Sequence, residues 1–569
     1  KQIEDCNLTG IEFVESNSRY YPLGDFCSYV VGYAKSYNDQ SVKKMVGEMG
    51  LELSYDKQLK GKNGYKVYQT DANGYALVDG TLREKDPTNG NDLYLTIDSG
   101  LQRNLDYLMS NAYSESGAEV VTAGVMEIKT GKILAMSTYP SFNPNERNIS
   151  TFNNYFLEGT IECGSVFKPF IYADSIEEGK YDHNAYYNSG SYNVYYGNKL
   201  VATIKDHNGG QGWGTITYDQ GLYHSSNVAI CNLLDQGYVT KDVLTDKLND
   251  LGFFQGDTVD GLTCSSSINA YTRKNAGRLE YLTTGFGQGS TVTPYQLLKA
   301  YSVFGNDGKT VQPHIVDKVV NPETNKVVYQ ATPKYSKQIF STNTISQVKD
   351  LMLGVIEDEQ GTGKTYRLDN DVRMIGKTGT GQVVENGGYS TTLYMHSFVG
   401  IAPYDDPQVV MFLTFKSGDS YAQYMPNIVK QTMNEALQVV NRYNAKNTTA
   451  VDQSYTLDSY TNQSVNYVKS KLESKSLSVQ IIGNGSSVIE QYPLAKSKVT
   501  SGDKVFIKTE GKDITLPNLI GWSKKEVQTY ASLAGIQLTI DGTSGHVTAQ
   551  SVGENTVVHS GDSLTVAIS

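Results

Sequence analysis

The chain has 569 residues, enough for about three or four domains of ordinary size. Its 60 acidic against 49 basic side chains give a formal net charge of −11, which argues against a protein that binds nucleic acid through phosphate contacts. The sequence has no apolar run of roughly 18 residues, so no stretch of it is expected to span a bilayer. Five cysteines at scattered positions exclude a disulfide-framework protein.

The first 95 residues alternate short apolar runs with turn signals, which predicts a β-rich domain. A helix is expected to begin at Ser41, because a serine followed by a mixed apolar and basic run is a common helix start.

From 96 to 445 the segments become longer. Two strands separated by the hairpin signal Thr130-Gly131 are predicted near its start, and three more near its end, at 120–128, 132–137, 372–379, 395–401 and 409–415. A helix-rich stretch lies between the two groups, and a helix is expected over 427–440. Strands at both ends of a helical insertion indicate one antiparallel sheet that the chain leaves and re-enters.

The tail beyond about 450 begins with a polar linker and continues as two segments of similar design, 455–510 and 511–569. Each is predicted to contain a helix, a strand and a Ser-Gly-Asp turn before a last strand, which indicates an internal repeat.

Ser165 and Lys168 form an S-x-x-K pattern. Because Pro169 clashes with a helical residue four positions earlier, the helix that contains it should begin near Ser165, and Gly179 should end it. The two side chains then share one face of the first turn. A serine there benefits from the helix dipole, and a desolvated lysine has a pKa low enough to take its proton. The alternative reading is a capped helix with a surface lysine.

Two further patterns point to the same chemistry. Ser225 and Asn227 form an S-x-N pattern before an apolar stretch, although the tripeptide Ser225-Ser226-Asn227 by itself is more typical of a helix N-cap. Lys377, Thr378 and Gly379 follow at the end of a predicted strand, where a lysine can hold a carboxylate and a glycine marks a close approach to the backbone.

Taken together, S-x-x-K, S-x-N and K-T-G in this order resemble the signature of penicillin-recognising serine acyltransferases. The flanking segments resemble the class B penicillin-binding proteins, the monofunctional peptidoglycan D,D-transpeptidases, and the two tail segments resemble PASTA domains. The motifs that carry this resemblance lie at 19–24, 95–98, 130–136, 287–289, 293–296 and 360–363.

This resemblance implies a multidomain α+β protein. Its parts would be a β-rich N-terminal pedestal of the dimerisation type, a transpeptidase domain with a five-stranded antiparallel sheet and an all-helical subdomain, and two PASTA domains, over 1–95, 96–445, 455–510 and 511–569. The pedestal would be truncated, because the family carries a cytoplasmic stub and one membrane helix before it and this chain begins at Lys1.

The family also implies a role for each motif residue. Ser165 would be the acylated nucleophile, Lys168 its general base, and Ser225 the relay of the proton to the leaving amine. Asn227 would hold the substrate amide, and Lys377 with Thr378 and Gly379 would bind the terminal carboxylate. The backbone N–H groups of Ser165 and Thr380 would form the oxyanion hole.

The implied substrates are peptidoglycan stem peptides ending in D-Ala-D-Ala on lipid II-derived strands, with β-lactams as inhibitors. The implied partner is a membrane glycosyltransferase of the division or elongation machinery, on the outer face of the cell membrane of a Gram-positive-type bacterium. A D,D-carboxypeptidase and a non-catalytic cell-wall-binding scaffold remain alternatives, whereas a class A β-lactamase lacks support because no E-x-x-L-N pattern is found. The sequence does not separate roles in division, elongation and sporulation, although two repeats favour division or sporulation.

Cysteine and histidine near these motifs suggest a further site. Cys163 lies two residues before the nucleophile, where the family usually has proline. If their segment is helical, His224 and Cys231 would share a helical face with Asn227. With His207, and Asp206 in reserve, these thiols and imidazoles would suit a structural Zn²⁺, although the chemistry itself needs no cofactor. Buried free thiols and a Cys163–Cys231 disulfide are the alternatives.

Overall fold

The structure is a computed structural model that describes residues 18–39, 42–73, 76–369, 372–385, 387–448, 454–473, 475, 477–500, 503–542 and 546–568. It contains helices and strands in mixed order, as predicted. No helix within these ranges is both long and apolar enough to cross a membrane.

Within its described residues, the N-terminal part contains two strand pairs and three short helices. The strands are β1 (Tyr33–Asp39), β2 (Val42–Met49), β3 (Tyr65–Thr70) and β4 (Ala76–Lys85), and the helices are α1 (Ser28–Val31), α2 (Gly50–Ser54) and α3 (Asp56–Leu59). Pairing is antiparallel, β1 with β2 and β3 with β4.

The helix predicted from Ser41 is wrong, and Ser41 itself lies outside the described residues. The segment that follows is strand β2, which pairs along its whole length with β1. Hydrogen bonding to a neighbouring strand outweighs the local preference of a short segment, so a capping signal alone could not identify this one.

The central part is the largest. Its helices are α4 (Ser99–Ser116), α5 (Tyr155–Glu158), α6 (Lys168–Glu177), α7 (Tyr218–Tyr223), α8 (Asn227–Asp235), α9 (Lys241–Asp250), α10 (Arg278–Gly285), α11 (Pro294–Tyr301), α12 (Thr342–Glu357) and α13 (Met425–Thr448). Its strands are β5 (Asp92–Leu95), β6 (Val120–Glu127), β7 (Ile133–Tyr139), β8 (Tyr186–Asn188), β9 (Ser191–Tyr196), β10 (Lys199–Lys205), β11 (Thr215–Thr217), β12 (Asp257–Val259), β13 (Leu262–Cys264), β14 (Val316–Asn321), β15 (Lys326–Gln330), β16 (Ile375–Glu385), β17 (Gly388–Ala402) and β18 (Val409–Ser417).

One five-stranded antiparallel sheet, in the order β16-β17-β18-β6-β7, joins the two predicted strand groups. Successive residues of β18 alternate between two hydrophobic clusters: Met411 and Leu413 pack with α4 and α13, whereas Phe412 packs in the cluster that contains α6. Both faces of the sheet are therefore covered, which explains why its central strands are almost continuously apolar. The antiparallel sheet predicted from the sequence is confirmed.

Where the structure describes the tail, it forms two small units, each with one helix and a three-stranded sheet. The first contains β19 (Ser454–Thr456), α14 (Val465–Glu473), β20 (Ser478–Ile482), β21 (Val488–Tyr492), β22 (Lys498–Thr500) and β23 (Lys504–Thr509). The second contains β24 (Ile514–Thr515), α15 (Lys524–Ala534), β25 (Gln537–Asp541), β26 (Val547–Gln550), β27 (Val557–Val558) and β28 (Ser563–Ile568).

The two tail units pack against each other. Ile482 and Phe506 of the first belong to the hydrophobic core of the second, and the Lys504 ammonium lies 3.0 Å from a carboxylate oxygen of Glu526. Each unit alone is near the lower size limit for independent folding, so this shared core contributes to the stability of both.

Candidate active site

Ser165 lies in a 3₁₀ turn, Gly164–Phe167, that continues directly into α6. Pro169, which follows Lys168, is accommodated in the first turn of α6, where its missing N–H costs no helical hydrogen bond. Gly164 has a φ of +62°, and a Cβ there would lie 2.3 Å from the carbonyl oxygen of Thr380. The half-buried Ser165 is therefore carried on a turn that packs directly against strand β16.

Strand β16 admits this close contact because two of its three glycines face the turn. A Cβ on Gly381 would lie 1.7 Å from the carbonyl oxygen of Glu162, and one on Gly379 would lie 2.7 Å from that of Cys163. These glycines bring the strand that carries Lys377 against the turn that carries Ser165.

Lys168 is completely buried at the start of α6. Its Nζ donates to the Ser225 carbonyl oxygen at 2.5 Å and lies 3.4 Å from the Ser225 hydroxyl oxygen. Burial lowers the pKa of Lys168 to about 7, and the nearby Asp206 carboxylate opposes this shift. A large fraction of the amine is consequently neutral near pH 7 and able to accept a proton.

Ser225 connects two lysines. Its backbone has a φ of +59°, in the left-handed region that a serine rarely adopts, and this conformation belongs to the break between α7 and α8. Nζ of the fully buried Lys377 donates to the Ser225 hydroxyl at 2.8 Å. Burial lowers the pKa of Lys377, and repulsion from Lys168 lowers it further.

The N-cap of α8 is Ser226, whose hydroxyl accepts from the Ala229 N–H, so the tripeptide does form a helix cap, through Ser226. The Ser225 hydroxyl is left available to the two lysines. Asn227 begins α8, half-buried, and its side-chain amide donates to the Lys205 carbonyl oxygen at 2.9 Å.

Asp206 holds this second motif in place and is 2% exposed. One carboxylate oxygen accepts from the Ser226 hydroxyl at 2.8 Å and from the N–H groups of Asn227 and Val228 at 2.7 and 3.1 Å. The other accepts from the Gly190 N–H at 2.8 Å. A negative charge at this helix N-terminus is also favoured by the helix dipole. The sequence suggested Asp206 only as a reserve metal ligand. Its role as a cap of α8 has no sequence signal, because about twenty residues separate it from the start of that helix.

Replacing Asp206 with asparagine is expected to destabilise the protein by roughly 2 kcal/mol, because the amide brings a donor to a site already occupied by donors. Loss of the charge should also lower the pKa of Lys168, since Asp206 raises it. The midpoint of the pH profile for acylation is therefore expected to move to lower pH. Thermal unfolding and penicillin acylation rates measure both effects, with the exposed Asp242→Asn as the matched control. An unshifted midpoint would contradict the coupling.

The third motif, Lys377-Thr378-Gly379, lies beside the other two. The Thr378 hydroxyl donates to that of Thr362 at 2.8 Å, so the Gln-Gly-Thr-Gly segment at 360–363 supports it. Thr380 is exposed on β16 and pairs in register with His396. The structure thus brings the residues of all three predicted motifs together: Ser165, Lys168, Ser225, Asn227, Lys377, Thr378, Gly379 and Thr380.

The predicted zinc ligands are not assembled. His224 was expected on the same helical face as Asn227 and Cys231, but α7 ends at Tyr223 and α8 begins only at Asn227, so His224 is not part of that face. Its ring stacks on Trp213 with centroids 4.5 Å apart.

The other proposed ligands have different partners. His207 Nε2 contacts the His224 carbonyl oxygen at 3.0 Å, and the Cys163 thiol contacts the carbonyl oxygen of Gly164 at 3.8 Å. Cys163 and Cys231 are buried free thiols, so the alternative disulfide is not formed. Within the described ranges no group of three or more His, Cys, Asp or Glu side chains is arranged to hold a metal ion. The arrangement of Cys163, His207, His224 and Cys231 therefore does not support the zinc hypothesis.

Three protein-family models match the chain, and one of them matches two segments. The penicillin-binding protein dimerisation domain matches residues 2–95, the penicillin-binding protein transpeptidase domain matches 121–438, and the PASTA domain matches 455–511 and 514–569.

Individual proteins agree with these matches. The chain is 30% identical over 533 residues to the stage V sporulation protein D of Bacillus subtilis, covering 90% of this chain and 79% of that protein. It is 28% identical over 436 residues to the peptidoglycan D,D-transpeptidase FtsI homolog of Mesostigma viride, covering 72% of this chain and 70% of that protein. The crystal structure of penicillin-binding protein 2X from Streptococcus thermophilus superimposes with a TM-score of 0.68 at 25% identity, covering all of this chain and 85% of that one.

Proposed function

The chain belongs to the penicillin-binding protein transpeptidase family, as a class B member with two PASTA domains, and from this we propose how its own residues carry out the reaction. The enzyme is a serine-type D,D-transpeptidase that cross-links peptidoglycan stem peptides. β-Lactam binding is typical of this fold.

In the proposed acylation step, Lys168 takes the hydroxyl proton of Ser165. The Ser165 oxygen attacks the penultimate D-Ala carbonyl, and the N–H groups of Ser165 and Thr380 stabilise the developing oxyanion. Ser225 passes the proton to the leaving D-Ala amine as the peptide bond breaks. The observation that carries this proposal is the buried chain of contacts from Lys168 through Ser225 to Lys377.

Binding of the donor would use the remaining motif residues. Lys377 and Thr378 would hold the terminal carboxylate, with Gly379 leaving room for the peptide backbone. Arrival of that carboxylate restores the charged form of Lys377, whose pKa is otherwise lowered by burial. Asn227 would hold a substrate amide beside it.

The acyl-enzyme would be resolved by the amine of a second stem, which forms the cross-link and returns the Ser165 hydroxyl. This chemistry needs no cofactor, because a buried amine and a hydroxyl relay supply both proton transfers.

A carboxypeptidase would use water in place of the amine of the second stem. Incubation with two stem peptides distinguishes the outcomes: a cross-linked dimer supports transpeptidation, whereas only peptide shortened by one D-Ala supports the alternative. If no fluorescent penicillin labels the intact chain, the catalytic reading fails.

We further propose that the enzyme works on lipid II-derived strands at the outer face of the cell membrane of a Gram-positive-type bacterium, held by an N-terminal anchor. A membrane glycosyltransferase would be its partner. The similarity to a protein named for stage V sporulation and the presence of two PASTA domains favour sporulation or division over elongation.

Removal of residues 451–569 is expected to leave the penicillin acylation rate within about threefold of the intact chain. The tail has its own hydrophobic cores, and the site motifs all lie before it. The repeats would then serve in docking to the cell wall. Stopped-flow acylation of the two proteins measures the ratio, and a much larger loss of rate would show that the tail supports the catalytic domain directly.

A further inference from the structure

Glu162 is a buried carboxyl group three residues before Ser165 that the proposed mechanism does not use. Its side chain is 7% exposed. One carboxylate oxygen accepts from the Tyr389 hydroxyl at 3.2 Å, and the backbone N–H of Gly289 also lies near the carboxyl group. The other oxygen is shielded from solvent and has no hydrogen bond of normal geometry within the described residues. Leaving a buried acceptor unpaired costs stability, so this oxygen is suited to a donor group supplied by a ligand.

The position of Glu162 relates it to the substrate cleft. Its backbone lies against Gly381, four positions along β16 from Lys377. At about 3.3 Å per residue these positions are roughly 13 Å apart along the strand. The lysine that would take the donor carboxylate and the Glu162 carboxyl group therefore lie beside two positions of β16 that are four residues apart.

If the proposed function holds, a donor peptide with its terminal carboxylate at Lys377 and paired antiparallel to β16 directs its earlier residues towards Gly381. Transpeptidation uses a primary amine of the second stem as acceptor. Donor and acceptor stems are copies of one another, so the donor carries the same amine on its own diamino residue. We propose that Glu162 binds this side-chain ammonium and so selects donor stems whose amine is still free.

The side chain of Tyr389 controls access to the Glu162 carboxylate. It lies on β17, is 49% exposed, and covers the carboxylate through its hydroxyl. A rotation of this one side chain would allow an ammonium to replace the hydroxyl and to reach the unpaired oxygen as well. Burial raises the pKa of the Glu162 carboxyl, and an ammonium beside it would favour the charged form.

Two penicillins that differ by one acetyl group test the proposal. Both carry a lysine-like acyl side chain, one with a free ammonium and one with the amine acetylated, and the second-order acylation rate is measured for each. The intact enzyme is expected to react about tenfold faster with the free ammonium, the range of a charge-assisted hydrogen bond. In Glu162→Gln this ratio should fall to near one, because the acylation rate with the ammonium-bearing penicillin decreases while that with the acetylated penicillin does not. The exposed Glu178→Gln is the control and should keep the original ratio.

Tyr389→Phe provides an independent variant, because it removes the competing donor and is expected to increase the ratio. The proposal is overturned if the intact enzyme does not discriminate, or if Glu162→Gln slows both penicillins equally. Should Glu162→Gln fail to fold, an unchanged ratio in Tyr389→Phe overturns it as well. Acylation without discrimination contradicts only the role of Glu162, whereas no acylation by either penicillin contradicts the proposed function on which it rests.

Discussion

Replacement of Ser165 with alanine is expected to abolish labelling by fluorescent penicillin. The reaction requires an oxygen nucleophile, and the variant removes that atom while leaving the turn and helix α6 in place. The side chain is only half-buried, so the loss of one hydroxyl should change the melting temperature little.

Gel fluorescence after a fixed exposure measures the result. Ser114→Ala, on the exposed face of α4, is the matched control and should be labelled like the unmodified chain. Retained labelling of Ser165→Ala would place the nucleophile elsewhere.

Replacement of Lys168 with methionine is expected to lower the acylation rate by roughly 10²- to 10⁴-fold, the usual contribution of a general base. Methionine has a similar length and is apolar, so it fits a completely buried position and mainly removes the amine. Stopped-flow kinetics with the exposed Lys274→Met as control separates this loss from a general effect of removing a lysine. A reduction of only a few-fold would assign the base to another group.

The pH dependence follows from the same residue. Below its pKa of about 7 the Lys168 amine is protonated and cannot accept a proton. The acylation rate should therefore rise with pH up to about 7 and level off above it. A rate that is constant through this range, or that falls as pH rises, would contradict the role of Lys168 as base.

The sequence predicted the central sheet because its strands carry strong apolar runs and clear turn signals at Thr130-Gly131 and in the loop before β18. It also predicted which residues meet in the cleft, but only through the order of three motifs that are individually weak. Their convergence depends on contacts between distant segments, such as Gly381 against Glu162, which local patterns do not encode.

Other features could not be predicted because they depend on the backbone path. The left-handed conformation of Ser225 lies in the break between α7 and α8 and separates His224 from the face of α8, on which the zinc hypothesis depended. The capping carboxylate of Asp206 comes from a segment before α7, so no spacing rule connects it with α8. Similarly, strand β2 was mistaken for a helix because its partner strand decides its conformation.

Peptide mapping by mass spectrometry after reaction with benzylpenicillin tests the central claim most directly. The account predicts one covalent penicilloyl group per chain, on the peptide that contains Ser165 and with fragment ions that locate it on that serine. An adduct on Ser225 or on any other residue, or the absence of any adduct on the folded protein, would contradict it.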